Sequence, residues 1–371
     1  MKCLLHIGTE KTATTTLQNW LYANKAELSK AKVYLSDNLG KTNNRLIPAY
    51  FKKNLDDWAM HNGVRNQVEK DKYFNGFIEK LIKEVSIAEK SHKTFIITSE
   101  HLHSRLTTKK EIEHLHSFLV SVFDKVKIVC YFRDQFDVAV SLYSTALKTD
   151  SFTDIESFVD QAKPDNYYYN YLRIADNWSE VFGKENCSFR IYDRAKFIRN
   201  DIRLDLLSLL GLDIDSLELE MTIEASNESL SLLQSAVFKV INRKIPYWAT
   251  DKLGANLNNA AAKENVLAVD SLKLGKITST KGDLIRERFI ESNRIFFEKY
   301  FMPEEKFPIS SSETEHIITC DQAMRAVEDA FELGFEINEE ASESLKKRKV
   351  TSALDILPRL YRKIRILLRT S

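Results

Sequence analysis

The chain has 371 residues, of which 43% are hydrophobic and 29% are charged, a composition typical of globular proteins. The net charge of +1 excludes a protein that holds nucleic acid or another polyanion through its overall charge, so any anion site must be local. No stretch of about 18 apolar residues occurs, which excludes a membrane-spanning helix.

Cysteine usage and the start of the chain predict a cytoplasmic protein. The four cysteines form no Cys-x-x-Cys pair. Three of them, Cys3, Cys130 and Cys187, lie in apolar, strand-like runs, and the fourth, Cys320, does not. We expect them to be reduced and to pack as small hydrophobic residues. We expect neither a signal peptide nor an N-terminal membrane anchor. The apolar stretch at residues 3–7 is short, and a threonine-rich motif follows it directly.

Five short apolar runs predict a buried sheet. They cover residues 2–8, 33–35, 94–99, 127–133 and 186–192. Helical patterns separate them, chiefly over residues 14–26, 109–123 and 135–148. Continuous apolar strands alternating with helices are typical of a mainly parallel sheet that is covered on both faces, so we predict an α/β fold.

The second half of the chain is predicted to be helical. Helical spacing recurs over residues 204–210, 230–241 and 283–300. We therefore expect one domain over residues 1–310, made of an α/β core (1–200) and a helical part (201–310). A separate helical extension is predicted over residues 311–371.

A threonine-rich turn follows the first predicted strand, in the sequence His6-Ile7-Gly8-Thr9-Glu10-Lys11-Thr12-Ala13-Thr14-Thr15-Thr16-Leu17. A strand that turns into a helix presents unpaired backbone N–H groups, and these bind anions. Lys11 adds a positive charge, and the threonines add hydroxyl donors. The turn is not a Walker A loop, because Glu10 replaces the glycine before the lysine. The alternative is a threonine-rich helix cap with a surface lysine.

A second motif follows the fourth predicted strand, where Arg133 ends the strand and Ser141 lies eight residues further on in a helix. Open α/β sheets bind ligands at the carboxyl ends of their strands. A guanidinium group binds phosphate in a bidentate manner. The alternative is that Arg133 pairs with Asp134 or Asp137 and that Ser141 is an ordinary helix residue.

Together the two motifs resemble those of the sulfotransferases that use 3′-phosphoadenosine 5′-phosphosulfate (PAPS). In that family a Lys-[Ser/Thr]-Gly-Thr-Thr loop holds the 5′-phosphosulfate, and an Arg followed eight residues later by a Ser holds the 3′-phosphate. Lys11, Thr12, Thr14 and Thr15 match the first loop, with Thr16 beside them, and Arg133 and Ser141 match the second motif. The resemblance covers residues 1–192 and implies a P-loop-NTPase-like three-layer sandwich, closest to bacterial carbohydrate sulfotransferases.

Two positions depart from the family pattern. Ala13 stands where the family has glycine, and it would be strained if that position required a positive φ. Gln135 stands where the family has proline. These departures keep open a catalytically degenerate nucleotide-binding protein, and a P-loop-related kinase is a further alternative.

The resemblance also implies a catalytic base at the end of a central strand, where this chain reads Ser99-Glu100-His101. The base is a glutamate in the glycan-acting members and a histidine in the small-molecule members, so Glu100 and His101 are both candidates. Lys11 would stabilise the leaving oxygen. Tyr192 would contact adenine, or it is simply a buried strand residue.

The acceptor predicted from the resemblance is a hydroxyl or amine of a glycan or glycolipid, with a small molecule or lipid as the alternative. An aromatic cluster at Tyr167, Tyr168, Tyr169 and Tyr171, followed by Trp178, either stacks on sugar rings or packs in the core. Two His-x-His pairs, His101/His103 and His114/His116, lack a third ligand at a fitting spacing, so no metal is expected.

The end of the chain, residues 344–371, reads as a basic amphipathic helix. Such a helix either lies on an anionic membrane, here the inner membrane where lipid-linked glycans are assembled, or docks on its own domain.

Overall fold

The computed structural model describes residues 1–222, 229–244, 249–250, 256–257, 259–302 and 304–309. Cα proximity divides the chain into two compact units. Among the described residues, the first contains those of Met1–Val138, Gln161–Glu228 and Gly282–Ile309, and the second contains those of Ala139–Asp160 and Ser229–Lys281. The extension and amphipathic tail predicted for residues 311–371 lie outside the described residues.

The first unit is built on a sheet of five parallel strands in the order β2-β3-β1-β4-β5. The strands are β1 (Lys2–His6), β2 (Val33–Leu35), β3 (Thr94–Thr98), β4 (Lys125–Phe132) and β5 (Cys187–Ile191). Strand β1 is central, with His6 in register with Thr98 of β3 and Val129 of β4. The carboxyl ends of parallel strands lie at one edge of a sheet, so the segments that follow them are brought together there.

The helices of the first unit are short, and several of them pack on the sheet. They are α1 (Thr14–Ala23), α2 (Lys25–Lys30), α3 (Leu46–Phe51), α4 (Asp57–His61), α5 (Gln67–Tyr73), α6 (Phe77–Ala88), α7 (His101–Arg105), α8 (Lys109–Val122), α9 (Gln135–Thr149), which continues into the second unit, α11 (Tyr171–Phe182), α12 (Ile202–Ser208), α15 (Gly282–Arg288) and α16 (Ile290–Tyr300). None of the helices that the structure describes combines the length and apolarity needed to cross a lipid bilayer.

Two hydrophobic cores lie on opposite faces of the sheet, because successive strand residues point to opposite sides. On one face Leu5 and Ile97 pack with helices α8 and α11. On the other face Leu4 and Ile96 pack with α1 and α12, around the fully buried Trp20. Burial of one such large side chain contributes roughly 1.5–3 kcal/mol. The predicted P-loop-like α/β sandwich, with a helical layer on each face, is confirmed.

The second unit is a smaller helical assembly. It contains the end of α9, α10 (Ile155–Val159), α13 (Leu232–Lys244), α14 (Ala260–Ala268) and a two-stranded antiparallel pair, β6 (Ala249–Thr250) and β7 (Asn256–Leu257). Asn242 binds the end of α9, since its amide donates to the carbonyls of Leu147 at 2.8 Å and Ser151 at 2.6 Å.

Two predicted helices are each divided in the structure. The helix predicted over 14–26 ends at Ala23, because the Asn24 amide donates to the carbonyls of Trp20 at 3.0 Å and Glu220 at 3.1 Å. The helix predicted over 283–300 is interrupted at Phe289, whose side chain is fully buried. Cys3 and Cys130 are buried and Cys187 is half-buried, all three as free thiols in strands, and Cys320 lies outside the described residues.

Candidate active site

The loop after β1 continues to pair with β4. The Thr9 amide donates to the Tyr131 carbonyl at 2.9 Å, and the Tyr131 amide donates to the Gly8 carbonyl at 2.7 Å. Gly8 has φ = 115°, and a Cβ atom there would lie 3.2 Å from the Glu100 Cα. Only glycine suits this close approach. The loop is therefore held directly against the end of β3.

The turn that enters α1 contains two non-glycine residues in left-handed conformations, Lys11 (φ = 68°) and Ala13 (φ = 57°, ψ = 26°). Thr12 lies between them, buried, and its hydroxyl donates to the Thr9 carbonyl at 2.7 Å. Ala13 does occupy a position with positive φ, so the strain considered above is present. It costs roughly 1–2 kcal/mol.

The N-terminus of α1 is equipped for an anion. Ala13 is its N-cap residue and makes no side-chain capping bond, and the first turn contains no acidic residue. Thr14 is buried, whereas Thr15 and Thr16 are half-buried. The positive end of the helix dipole and the first-turn N–H groups therefore face this loop without a carboxylate cap.

Arg133 directly follows β4 and reaches the same loop. Its Nη1 donates to the Lys11 carbonyl at 3.3 Å, and its guanidinium carbon lies 5.8 Å from the centre of the Tyr192 ring. Its Nη2 is 3.7 Å from Asp137 Oδ2, so the predicted alternative pairing is also present. Arg133 and the Lys11 turn thus meet at one edge of the sheet.

Arg286 on α15 is a residue of this region that the sequence analysis missed. Its Nε is 3.2 Å from Asp134 Oδ2, and its Nη2 is 3.4 Å from Asp137 Oδ1. Its guanidinium also lies 4.9 Å from the centre of the Phe136 ring. No local pattern links residues so far apart in sequence, although the Asp-x-x-Asp spacing after β4 suggests a basic partner.

Glu100 and His101 lie at the start of α7, directly after β3, and not on a strand. Glu100 Oε2 accepts a hydrogen bond from Nε2 of the buried Gln18 on α1 at 2.5 Å. Glu100 Oε1 is 3.8 Å from His101 Nε2. The two candidate bases therefore lie next to each other. Gln18 is a second residue of this region that the sequence analysis did not identify.

A group of charged side chains surrounds His101. Glu10 Oε1 lies 3.9 Å from His101 Nδ1 and 3.7 Å from Arg105 Nη1. Glu10 Oε2 accepts a hydrogen bond from the Tyr168 hydroxyl at 3.0 Å. Arg105 Nε binds Asp57 Oδ1 at 2.8 Å.

Burial decides the protonation of the histidines in this group. Removal from water lowers the pKa of His101. The neighbouring carboxylates of Glu100 and Glu10 raise it, but their effect is smaller, so the pKa is lower than usual. Burial also lowers the pKa of His103 to about 4, and its Nε2 lies 3.0 Å from the Tyr168 carbonyl. His101 is therefore neutral near pH 7 and able to accept a proton.

Burial also raises the pKa of Glu10, but interactions with His101, the Ser104 hydroxyl and Arg105 together outweigh that effect and leave the pKa of Glu10 lower than usual. Its carboxylate is therefore ionised at neutral pH. A buried ionised carboxylate next to a neutral imidazole is an arrangement often found at functional sites.

The remaining predicted residues lie in different places. Tyr192 is half-buried, its amide donates to the Phe132 carbonyl at 2.7 Å, and its ring packs edge-on against Phe197. Ser141 lies in the part of α9 that belongs to the second unit. No three His, Cys, Asp or Glu side chains form a metal-binding group in the described part of the chain.

Most of the aromatic cluster packs in the core. Tyr171 is 1% exposed and its hydroxyl donates to the Arg133 carbonyl at 2.7 Å, and Trp178 is fully buried and stacks on Phe182. Of the two alternatives, core packing therefore holds for Tyr171 and Trp178, and sugar stacking is wrong for them. Tyr168 remains half-buried against Glu10.

Comparison with known proteins gives few similarities. No family model matches the chain. An uncharacterized protein of Archaeoglobus fulgidus is 30% identical over 240 residues, which are 63% of this chain, and the chain spans 62% of that relative's length. The crystal structure of a sulfotransferase from Alicyclobacillus acidocaldarius matches 64% of this chain and 92% of its own, with 15% identity and a TM-score of 0.36.

Proposed function

We propose that the chain is a sulfotransferase that transfers a sulfuryl group from PAPS to an acceptor hydroxyl or amine. The observation that carries the proposal is the contact between Arg133 and the Lys11 turn, at 3.3 Å. PAPS carries a phosphate at the 3′ position and a phosphosulfate at the 5′ position of a single ribose. Two anion-binding groups that meet at one sheet edge suit such a ligand.

We assign a group of the chain to each part of the nucleotide. Lys11, the α1 N-terminus and the hydroxyls of residues 14–16 would bind the 5′-phosphosulfate, because this helix end lacks an acidic cap. Arg133 would bind the 3′-phosphate, and its neighbour Tyr192 would contact the adenine ring. Ser141 remains a predicted ligand of the 3′-phosphate.

The chemistry follows from these positions. The acceptor oxygen or nitrogen attacks sulfur, a bond to sulfur forms, and the bond from sulfur to the bridging phosphate oxygen breaks. Lys11 stabilises the negative charge that develops on that oxygen. Glu100 takes the acceptor's proton, because Gln18 fixes its carboxylate beside the loop.

For the acceptor we propose a glycan or glycolipid. The cluster of Glu10, Glu100, His101 and Arg105 beside the loop offers both donors and acceptors of hydrogen bonds to sugar hydroxyls. A screen of sugars, lipids and small phenols with radiolabelled PAPS would identify the acceptor.

The test of the function is sulfate transfer by variants at the two anion-binding groups. Lys11→Ala and Arg133→Ala should each reduce turnover by roughly 10²- to 10³-fold, since each removes charge stabilisation from the reacting nucleotide. Both proteins should keep the wild-type melting temperature. The exposed residues Lys90 and Arg65 provide matched controls, and Lys90→Ala and Arg65→Ala should retain full activity. Wild-type turnover in Lys11→Ala or Arg133→Ala would refute the assignment.

A further inference from the structure

The buried pair of Glu10 and His101 is not explained by nucleotide binding. Glu10 Oε1 and His101 Nδ1 face each other at 3.9 Å. Both atoms are shielded from solvent, and neither has a hydrogen-bond partner among the residues that the structure describes. A buried polar atom without a partner destabilises the folded protein, so this arrangement calls for an explanation.

Glu10 is held in place from two sides. The Tyr168 hydroxyl donates to its Oε2 at 3.0 Å, and Arg105 Nη1 lies 3.7 Å from its Oε1. The carboxylate is therefore fixed opposite one nitrogen of His101.

The two nitrogens of His101 have different surroundings. Nδ1 faces Glu10, whereas Nε2 faces Glu100 Oε1 at 3.8 Å. The Glu100 carboxylate is held by Gln18 through its other oxygen, Oε2. A proton on Nδ1 would be attracted by the buried Glu10 carboxylate, whereas a lone pair there would be repelled by it, and this attraction is little screened by solvent.

We infer that Glu10 is a positioning residue that keeps the proton of neutral His101 on Nδ1, so that Nε2 is free to take over the acceptor's proton from Glu100. This inference rests on the proposed function for its catalytic meaning. During transfer the acceptor's proton moves to Glu100 and then to His101 Nε2, and the resulting imidazolium lies between two carboxylates. No electron leaves or enters the site.

The charges that face His101 come from several elements. Glu10 belongs to the loop before α1, Glu100 and Arg105 to the start and end of α7, Arg45 to the residue before α3, and Asp57 to α4. The carboxylates favour the imidazolium and the guanidinium groups oppose it. Removal of the Glu10 charge should therefore lower the pKa of His101 further.

Nitrogen NMR of the imidazole rings in histidine-labelled full-length protein tests the inference without any substrate. In the wild type the His101 signals, assigned with His101→Asn, should show the proton on Nδ1. In Glu10→Gln the proton should move predominantly to Nε2, and the His101 pKa should fall. Glu113→Gln, at an exposed position on α8, is the control and should leave both unchanged. An unchanged tautomer in Glu10→Gln would overturn the inference.

Tyr168→Phe provides a second variant in case Glu10→Gln does not fold. It removes the hydroxyl that holds Glu10, and it should shift the His101 tautomer in the same direction by a smaller amount. An unchanged tautomer would again contradict the inference.

Kinetics separate this inference from the proposed function. Glu10→Gln should lower kcat by roughly 10²-fold, with unchanged affinity for adenosine 3′,5′-bisphosphate. An unchanged kcat in Glu10→Gln would show that Glu10 does not position His101 for catalysis. If the wild-type protein neither binds this nucleotide nor transfers sulfate, the proposed function fails, and the NMR result still decides how Glu10 acts on His101.

Discussion

At the residue scale, the proposed site depends on the hydrogen bond that the Arg133 guanidinium donates to the Lys11 carbonyl. Lys11 and Arg133 lie in short motifs at strand ends, where local spacing is informative. Glu10 was noted only because it excludes a Walker A loop. Its partners Arg105 and Tyr168 lie 95 and 158 residues further along the chain, and no periodicity links such positions.

Ala13 gives a prediction at the same scale. Its left-handed backbone is strained for alanine and unstrained for glycine. Ala13→Gly should therefore raise the free energy of unfolding by about 1 kcal/mol, the strain relief exceeding the entropic cost of glycine. Chemical denaturation measures this change. Ala146→Gly, inside α9, is the matched control and should lower the free energy of unfolding. A destabilised Ala13→Gly protein would show that the turn is not strained.

At the scale of elements, the five strands were predictable because each is a continuous apolar run, and their ends differ from the prediction by at most two residues. The divided helices were not predictable in the same way. The break at Asn24 depends on its hydrogen bond to Glu220, and the break at Phe289 depends on a position in the core. Such long-range contacts override local helical spacing.

The junction of β1 and β3 gives a prediction of pH dependence. His6 is fully buried at the end of β1, and its Nδ1 lies 2.8 Å from the Thr98 hydroxyl of β3. Burial lowers the pKa of His6 to about 4, and a hydrogen bond with the Gly8 backbone opposes this only in part. In the unfolded chain the pKa returns to about 6.5. Between these values the unfolded chain binds more protons than the folded chain, so stability falls as the pH decreases from 6.5 to 4.

Denaturation at a series of pH values measures this effect. His6 contributes up to about 3 kcal/mol of the decrease, and His103 adds a similar amount because its pKa is also about 4. His6→Gln should flatten the pH dependence over this range, whereas His61→Gln, at an exposed position, should not. A slope that His6→Gln leaves intact would contradict the account of this junction.

At the scale of the whole molecule, the described chain forms two units that are each assembled from separated segments. The boundary between them falls inside α9, between Val138 and Ala139. No change in amino-acid composition marks this boundary. It could therefore not be predicted by dividing the sequence into consecutive domains. Lys11, Glu100, His101 and Arg133 all belong to the first unit, whose sheet edge brings together the ends of β1, β3, β4 and β5.

Isothermal titration calorimetry with adenosine 3′,5′-bisphosphate tests the central claim most directly. The wild-type protein should bind this nucleotide at a single site and at least tenfold more tightly than ATP. Arg133→Ala should weaken binding by roughly tenfold or more, since a hydrogen bond to a charged group is worth about 1.5–3 kcal/mol, and Glu100→Gln should leave it unchanged. Absence of binding, or a preference for ATP, would contradict the convergence of both anion-binding groups on one sulfated nucleotide.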